Sequence, residues 1–346
     1  MRYIDLHLHL DGAVTVSIAK ELAALGGIEL PAKDDEELKK LLQVPPDCKS
    51  LNDFLKCFEL PGSLMQTPEG LREAVKLVLK DCERQDVVYA ELRFAPQLHT
   101  GCGMTQEDAV RAAIEGLTEI NAPADRPTIL ADTAASPSGD ADDCGIHANL
   151  ILCLMRGEGN EAENAETLRL AKKYLVPDGG VVALDLAGAE ALYPTSDYAG
   201  IFKAAREAGI PFTIHAGEAD GADSVRAAVD FGASRIGHGV RSGEDTGLVS
   251  LLAEKRITLE MCPTSNRQTH AVEDMSDYPL VRYLQAGIPV TLNTDDPAIE
   301  GTNIAGEFRY MEELLGMTDD QKKQLYINAV KAAFTTDEVK ERLLSL

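Results

Sequence analysis

Residues 181–218 read VVALDLAGAEALYPTSDYAGIFKAAREAGIPFTIHAGE. VVALDLAG and PFTIHAGE are short β-rich runs, and YAGIFKAAREAG between them is helical in pattern. A strand, a helix and a second strand in this order form the repeating unit of a parallel sheet. From about residue 145 onward the alternation is regular. HANLILCLMR, RIGHGV, ITLEMCP and PVTLNTDDP supply further strands, and NAETLRLAKKYL, DSVRAAVDFG, TGLVSLLAEK and YPLVRYLQAG supply helices. Upstream, DVVYAELRFAP (86–96) and YIDLHLHLDGA (3–13) read as two more strands.

Eight strands in a chain of 346 residues predict an α/β fold of the (β/α)8 barrel type, one domain over residues 1–346. A doubly wound open sheet is the alternative, but no GxGxxG opens a first helix. Residues 15–80 read as a helical insertion after the first strand. Within them KDDEELKKLL is a solvated helix face, and ELPGSLMQTPEG (59–70) breaks the pattern with Pro61, Gly62 and Pro68, as a hinge or lid would. Residues 122–145, rich in Ala, Asp, Pro, Ser and Gly, predict a long surface loop before the third strand.

Composition narrows the function. The formal net charge of −24 opposes binding to nucleic acid or to anionic membranes. No apolar run reaches the roughly 18 residues of a membrane span, and the N-terminus lacks the pattern of a signal peptide. Seven scattered cysteines without a CxxC pair predict reduced thiols. Together these place the expected protein in the cytoplasm.

In barrels of this type the chemistry sits where strands end and βα loops begin. The first strand, read with period two, turns Leu6, Leu8 and Leu10 to one face and Asp5, His7, His9 and Asp11 to the other. The fifth ends at His215 and Glu218, the sixth at His238, the eighth at Asp295 and Asp296. Barrel interiors are normally filled by branched apolar residues, so four of the seven histidines at strand ends are not a packing pattern. His7, His9, His215 and Asp295 offer three nitrogens and one carboxylate, a set that suits one Zn2+ with an open position for water. His99, His147 and His270 read as surface or core histidines, and Cys262 as a packed thiol. Arg235 and Glu260, on neighbouring strands, predict a buried pair beneath the site, with two solvated charges as the alternative.

HLHLDGA, DLAGAE, HAGE, GHG, CPTSN and TLNTDDP, in this order and spacing, resemble the adenosine deaminase family of metal-dependent amidohydrolases. The resemblance covers roughly residues 1–315. It implies a (β/α)8 barrel, one zinc ion per chain, and hydrolytic deamination of a purine nucleoside or base. Two-metal relatives carry a modified lysine on the fourth strand, and VVALDLAG has none. By this resemblance Glu218 protonates purine N1, His238 positions the attacking water and helps remove its proton, and Asp295 is both ligand and partner to that water. Asp296 meets N7, the backbone N–H of Gly188 meets N3, and His9 and Asp11 complete the substrate contacts. Adenosine-specific members carry Asp after H-x-H-L, where it meets the ribose 5′-hydroxyl, so Asp11 favours adenosine and 2′-deoxyadenosine over adenine or aminofutalosine. The alternative role of Asp11 is a cap on the following helix. Residues 50–70 resemble the family's pocket cover, and the 122–145 stretch is longer than the family usually has. A barrel that binds zinc or purine without catalysis is the reading from another class, but it needs neither Glu218 nor His238.

Overall fold

The computed structural model describes residues 1–45, 56–121 and 145–346. Eight parallel strands run β1 (Tyr3–His9), β2 (Val87–Phe94), β3 (His147–Met155), β4 (Val181–Ala187), β5 (Thr213–Ala216), β6 (Arg235–His238), β7 (Thr258–Met261) and β8 (Val290–Leu292). They pair in sequence order as two four-stranded sheets. Both seams between the sheets are bridged. Leu184 on β4 pairs with Phe212 just before β5, and Leu8 on β1 pairs with Asp295 just after β8. At the second seam His9 N–H donates to the Asp295 carbonyl at 2.9 Å, and Asp295 N–H to the His7 carbonyl at 2.8 Å. The strand ring therefore closes into the expected barrel. Its last seam is made by the residues that carry candidate ligands.

The strands are buried on both faces, as the cover of helices requires. β5 to β8 are only three or four residues long. Glu218, Asp295 and Asp296 therefore lie in βα loops, whereas His215 and His238 are still in the ladder.

Between β1 and β2 the described residues form α1 (Val16–Gly26), α2 (Asp35–Leu42), α3 (Glu59–Leu64) and α4 (Pro68–Arg84), the expected helical insertion. α2 buries only Leu38 and Leu42, which fits its reading as a solvated face. The reading of 59–70 as a break is corrected in part. Pro61 lies in the first turn of α3, where no intrahelical N–H is needed, and Pro68 opens α4 at its N-terminus behind the Thr67 cap. The start of the candidate pocket cover and almost all of the 122–145 stretch lie outside the described residues.

The barrel continues through α5 (Gln106–Asn121), α6 (Glu161–Tyr174), α7 (Ala199–Glu207), α8 (Ala222–Phe231), α9 (Thr246–Lys255), α10 (Pro263–Gln268), α11 (Leu280–Gln285) and α12 (Pro297–Glu300). α13 (Ile304–Leu315), α14 (Asp319–Ala332) and α15 (Asp337–Ser345) close the chain. The main apolar core packs strands such as Leu150, Leu184 and Ile236 against helices such as α4 and α5. No described helix is long and apolar enough to cross a membrane. The five described cysteines are free thiols.

Candidate active site

His7, His9, His215 and Asp295 converge at the C-terminal mouth of the barrel. The Nε2 atoms of His7 and His9 lie 3.0 and 3.2 Å from Nε2 of His215, and 3.2 and 3.3 Å from Asp295 Oδ1. Donors 2.0–2.1 Å from a tetrahedral zinc would stand about 3.3 Å apart. The far sides of two rings are fixed. His7 Nδ1 lies 2.8 Å from Glu260 Oε2, and His215 Nδ1 lies 2.9 Å from Asp185 Oδ2. Ionised carboxylates only accept, so both rings carry a proton on Nδ1, and each ring, when neutral, turns an Nε2 lone pair inward. Burial opposes the charge on these acids. His215 and Arg93 at Asp185, and Arg235 and Arg93 at Glu260, nevertheless hold both carboxyls well below their ordinary range. Two inward lone pairs and a carboxylate oxygen crowd His7 Nε2 at 3.0 and 3.2 Å and repel one another unless a proton or a metal cation lies among them. The donor set fits a metal ion.

Local backbone makes room for this cluster. Gly237 faces His215 across the ladder, and a Cβ there would stand 2.9 Å from His7 Cε1. His238 and Asp295 both take left-handed φ, 62° and 67°. Non-glycine residues rarely adopt it, and such strain gathers at functional sites.

His238 Nε2 is buried without a hydrogen-bond partner. It faces the site 3.6 Å from Glu218 Oε2 and 3.7 Å from Asp295 Oδ2. Its Nδ1 lies 3.0 Å from the Asn266 amide, whose oxygen accepts from the Tyr278 hydroxyl at 2.9 Å. Burial raises the Glu218 carboxyl above its ordinary range; His238 opposes this, and the Asp295 and Glu190 charges add to it. A Thr269 hydroxyl donates to Glu218 Oε1 at 3.1 Å. Asp296 is buried with Oδ1 unpartnered, and burial, then Asp295 and Asp11, hold its carboxyl well above the usual range. Asp11 groups with His9 and Asp296. Burial, with Asp295 adding, raises its carboxyl to about 6. Gly188 follows β4 with φ +102°, a conformation that side chains strongly disfavour. All nine expected site residues thus sit at C-terminal strand ends or in the loops that follow, and the four candidate ligands meet at one point.

Of the two readings of Asp11, the helix cap is overturned. Thr15 caps α1 through Ile18 N–H, while Asp11 lies in a separate short turn and among the described residues accepts from Gly12 N–H at 3.2 Å. The expected Arg235–Glu260 pair is present and buried, Nε to Oε1 at 2.5 Å. His99 is a core residue bonded to the Met65 carbonyl, His147 pairs with Asp178, and His270 is exposed. Cys262 packs, its thiol pushed well up by burial.

Sequence reading missed the supports. Arg93 is fully buried and bridges Asp185 and Glu260 at 2.8 and 2.9 Å, beneath both fixed histidines. Glu190 accepts four successive backbone N–H groups, from Gly217 to Asp220, and the Ser224 hydroxyl. It thereby fixes the loop that carries Glu218. Arg156 holds the His215 carbonyl at 2.6 Å. For Arg93 and Asp185 the available signal was charge inside an otherwise apolar strand, as in YAELRF and VVALDLA.

A closed parallel barrel with a three-histidine, one-carboxylate mouth defines a metal-dependent hydrolase. The adenosine deaminase family profile matches residues 3–346, and the chain belongs to that family. It is 46% identical over 343 residues to the adenosine deaminase of Haemophilus ducreyi, covering 99% of this chain and 94% of that protein. Among solved structures, the adenine deaminase of Arthrobacter aurescens superposes with TM-score 0.82 at 28% identity, covering 99% and 96% of the two chains. The N6-methyl-AMP deaminase of Arabidopsis thaliana superposes with TM-score 0.78 at 26% identity, covering 100% and 95%.

Proposed function

We propose that this chain, acting as one barrel domain, hydrolyses adenosine and 2′-deoxyadenosine to inosine or deoxyinosine and ammonia. His7, His9, His215 and Asp295 would hold one zinc ion. Bound there, zinc would lower the pKa of water from about 15.7 to about 7 and so supply hydroxide near neutral pH. The observation that carries the reading is the convergence of these four donors beside a half-open Glu218 with a raised carboxyl pKa.

Each remaining residue has a task its surroundings suit. Glu218, whose carboxyl pKa burial raises, donates to N1 and makes the adjacent carbon electrophilic. His238 orients the attacking water through its unpartnered Nε2 and receives its proton. Asp295 accepts a hydrogen bond from the same water. Asp296, its carboxyl pKa also raised by burial, donates to N7. The Gly188 N–H meets N3, and His9 and Asp11 border the sugar. Ammonia leaves as the ring regains aromaticity. Adenosine is favoured over adenine because Asp11 has no capping task and the named adenosine deaminase is the nearer match, at 46% against 28% identity.

The test is ammonia release from zinc-loaded protein given adenosine, 2′-deoxyadenosine, adenine or aminofutalosine separately. Turnover of the two adenosines is expected. Turnover of adenine or aminofutalosine in their place would overturn the substrate reading, and turnover of none would favour the non-catalytic binding barrel.

A further inference from the structure

A cavity of about 340 Å3 lies at the N-terminal ends of β6, β7 and β8, on the face opposite the candidate active site. Arg235, Arg256, Lys331 and Lys340 line it with Thr258 and Phe334, and no Asp or Glu does. The chain holds 57 acidic against 33 basic residues, so an all-basic lining runs against its composition. Arg235 is committed to Glu91 and Glu260 and lies 3.9 Å over the Phe334 ring. Arg256, Lys331 and Lys340 form no ion pair among the described residues. Arg256, exposed at this lining, takes a left-handed φ of 54° just past α9.

Helix-end compensation explains part of this arrangement. Lys340 Nζ donates to the Lys331 carbonyl at 3.3 Å and Arg235 to the Ala332 carbonyl at 3.1 Å, both at the C-terminal end of α14. It does not explain Arg256, the side chain of Lys331, or the exclusion of every carboxylate from the lining. Three cations with free N–H groups around one concavity match a tetrahedral dianion, since guanidinium and ammonium donors recognise phosphate oxygens.

We propose that this cavity binds a dianionic phosphate group, either free phosphate or the phosphomonoester of a small metabolite. The site is separate from the deaminase centre and independent of the substrate assigned there. It is tested by calorimetric titration of the zinc-loaded protein with inorganic phosphate and with ribose 5-phosphate, at ionic strength balanced by chloride and with saturating inosine present. Saturable binding at one site per chain is expected. Tighter binding of ribose 5-phosphate assigns the phosphomonoester; otherwise the ligand is free phosphate. Lys331→Glu/Lys340→Glu and, separately, Arg256→Gln should each weaken binding at least about tenfold, the effect of losing one charge-assisted hydrogen bond. Both should retain the melting transition and adenosine turnover. No saturable binding, loss of binding on adding inosine, or unchanged affinity in both variants would overturn the proposal.

Discussion

Asp11→Ala separates recognition of the sugar from support of the fold. Asp11 does not cap α1, and among the described residues its side chain accepts from Gly12 N–H at 3.2 Å. Its carboxyl sits beside His9 and Asp296, raised by burial to about 6, so at pH 7.5 it is ionised and able to accept from a hydroxyl. A hydrogen bond from a neutral hydroxyl to a charged acceptor contributes about 1.5–3 kcal/mol, or roughly 10- to 150-fold in kcat/KM. Adenine has no ribose, so its residual turnover should be unaffected. Part of the adenosine loss should fall on kcat, because remote contacts orient the reacting ring. The stability sign runs the other way. A carboxyl raised from 3.8 to about 6 holds its proton more tightly in the folded state. That contribution is present below pH 4 and is lost as pH rises to about 6. At pH 7.5 the variant should therefore melt no lower than the parent. Ammonia release from both substrates, measured alongside the unfolding midpoint, decides the matter. Unchanged adenosine kinetics with a lowered midpoint would refute the ribose contact and return Asp11 to a structural role.

His215→Ala and Asp295→Ala each remove one of four converging donors and should lose most bound metal on dialysis, read by metal analysis; full occupancy in both would place the metal elsewhere. Glu218→Gln keeps shape and hydrogen bonding but delivers no proton; it should retain metal and fold while kcat falls by at least the roughly 10²–10⁴-fold of general-acid catalysis. Glu307 is buried on α13 and accepts from Thr264 N–H and the Thr302 hydroxyl, yet burial raises its carboxyl to about 7. The folded state therefore keeps the proton that the unfolded chain releases above 4.5, and stability falls between pH 4.5 and 7. Glu307→Gln should remove that fall, gaining up to about 3 kcal/mol at pH 8 and nothing below pH 4.5 in urea unfolding; parallel pH profiles for the two proteins would rule this out.

The fold was legible because its strands and helices differ in period and length, and because parallel strands buried on both faces read as apolar runs. The candidate site histidines were legible for a related reason. An imidazole at the end of such a run has no packing role, so His7, His9, His215 and His238 stood out against Leu, Ile and Val. Residues 59–70 misled because proline is a breaker only where an N–H is required, and Pro61 and Pro68 both occupy first turns. Glu190 was hidden because its partners are backbone N–H groups 27 to 30 residues away, which no side-chain pattern marks.

Arg93 and Asp185 were unreadable singly for a deeper reason: each makes sense only together with Glu260, which the sequence paired with Arg235 alone. One charge inside a barrel is prohibitive, and a buried ion pair rarely stabilises a fold over an apolar substitute. Here the charges alternate without a gap, from Glu91 through Arg235 and Glu260 to Arg93 and Asp185. The two carboxylates at the upper end face Nδ1 of His7 and His215. Stability alone does not account for such an arrangement, but ligand orientation does. A neutral imidazole offers a lone pair on only one nitrogen, and the carboxylate behind the ring decides which. Holding both protons on Nδ1 makes the Nε2 lone pairs oppose each other across 3.0 Å. That repulsion is relieved by a cation at the mouth. The ion-pair chain below the site and the four candidate donors above it are therefore one electrostatic structure, in which the buried charges orient two imidazoles toward one shared point.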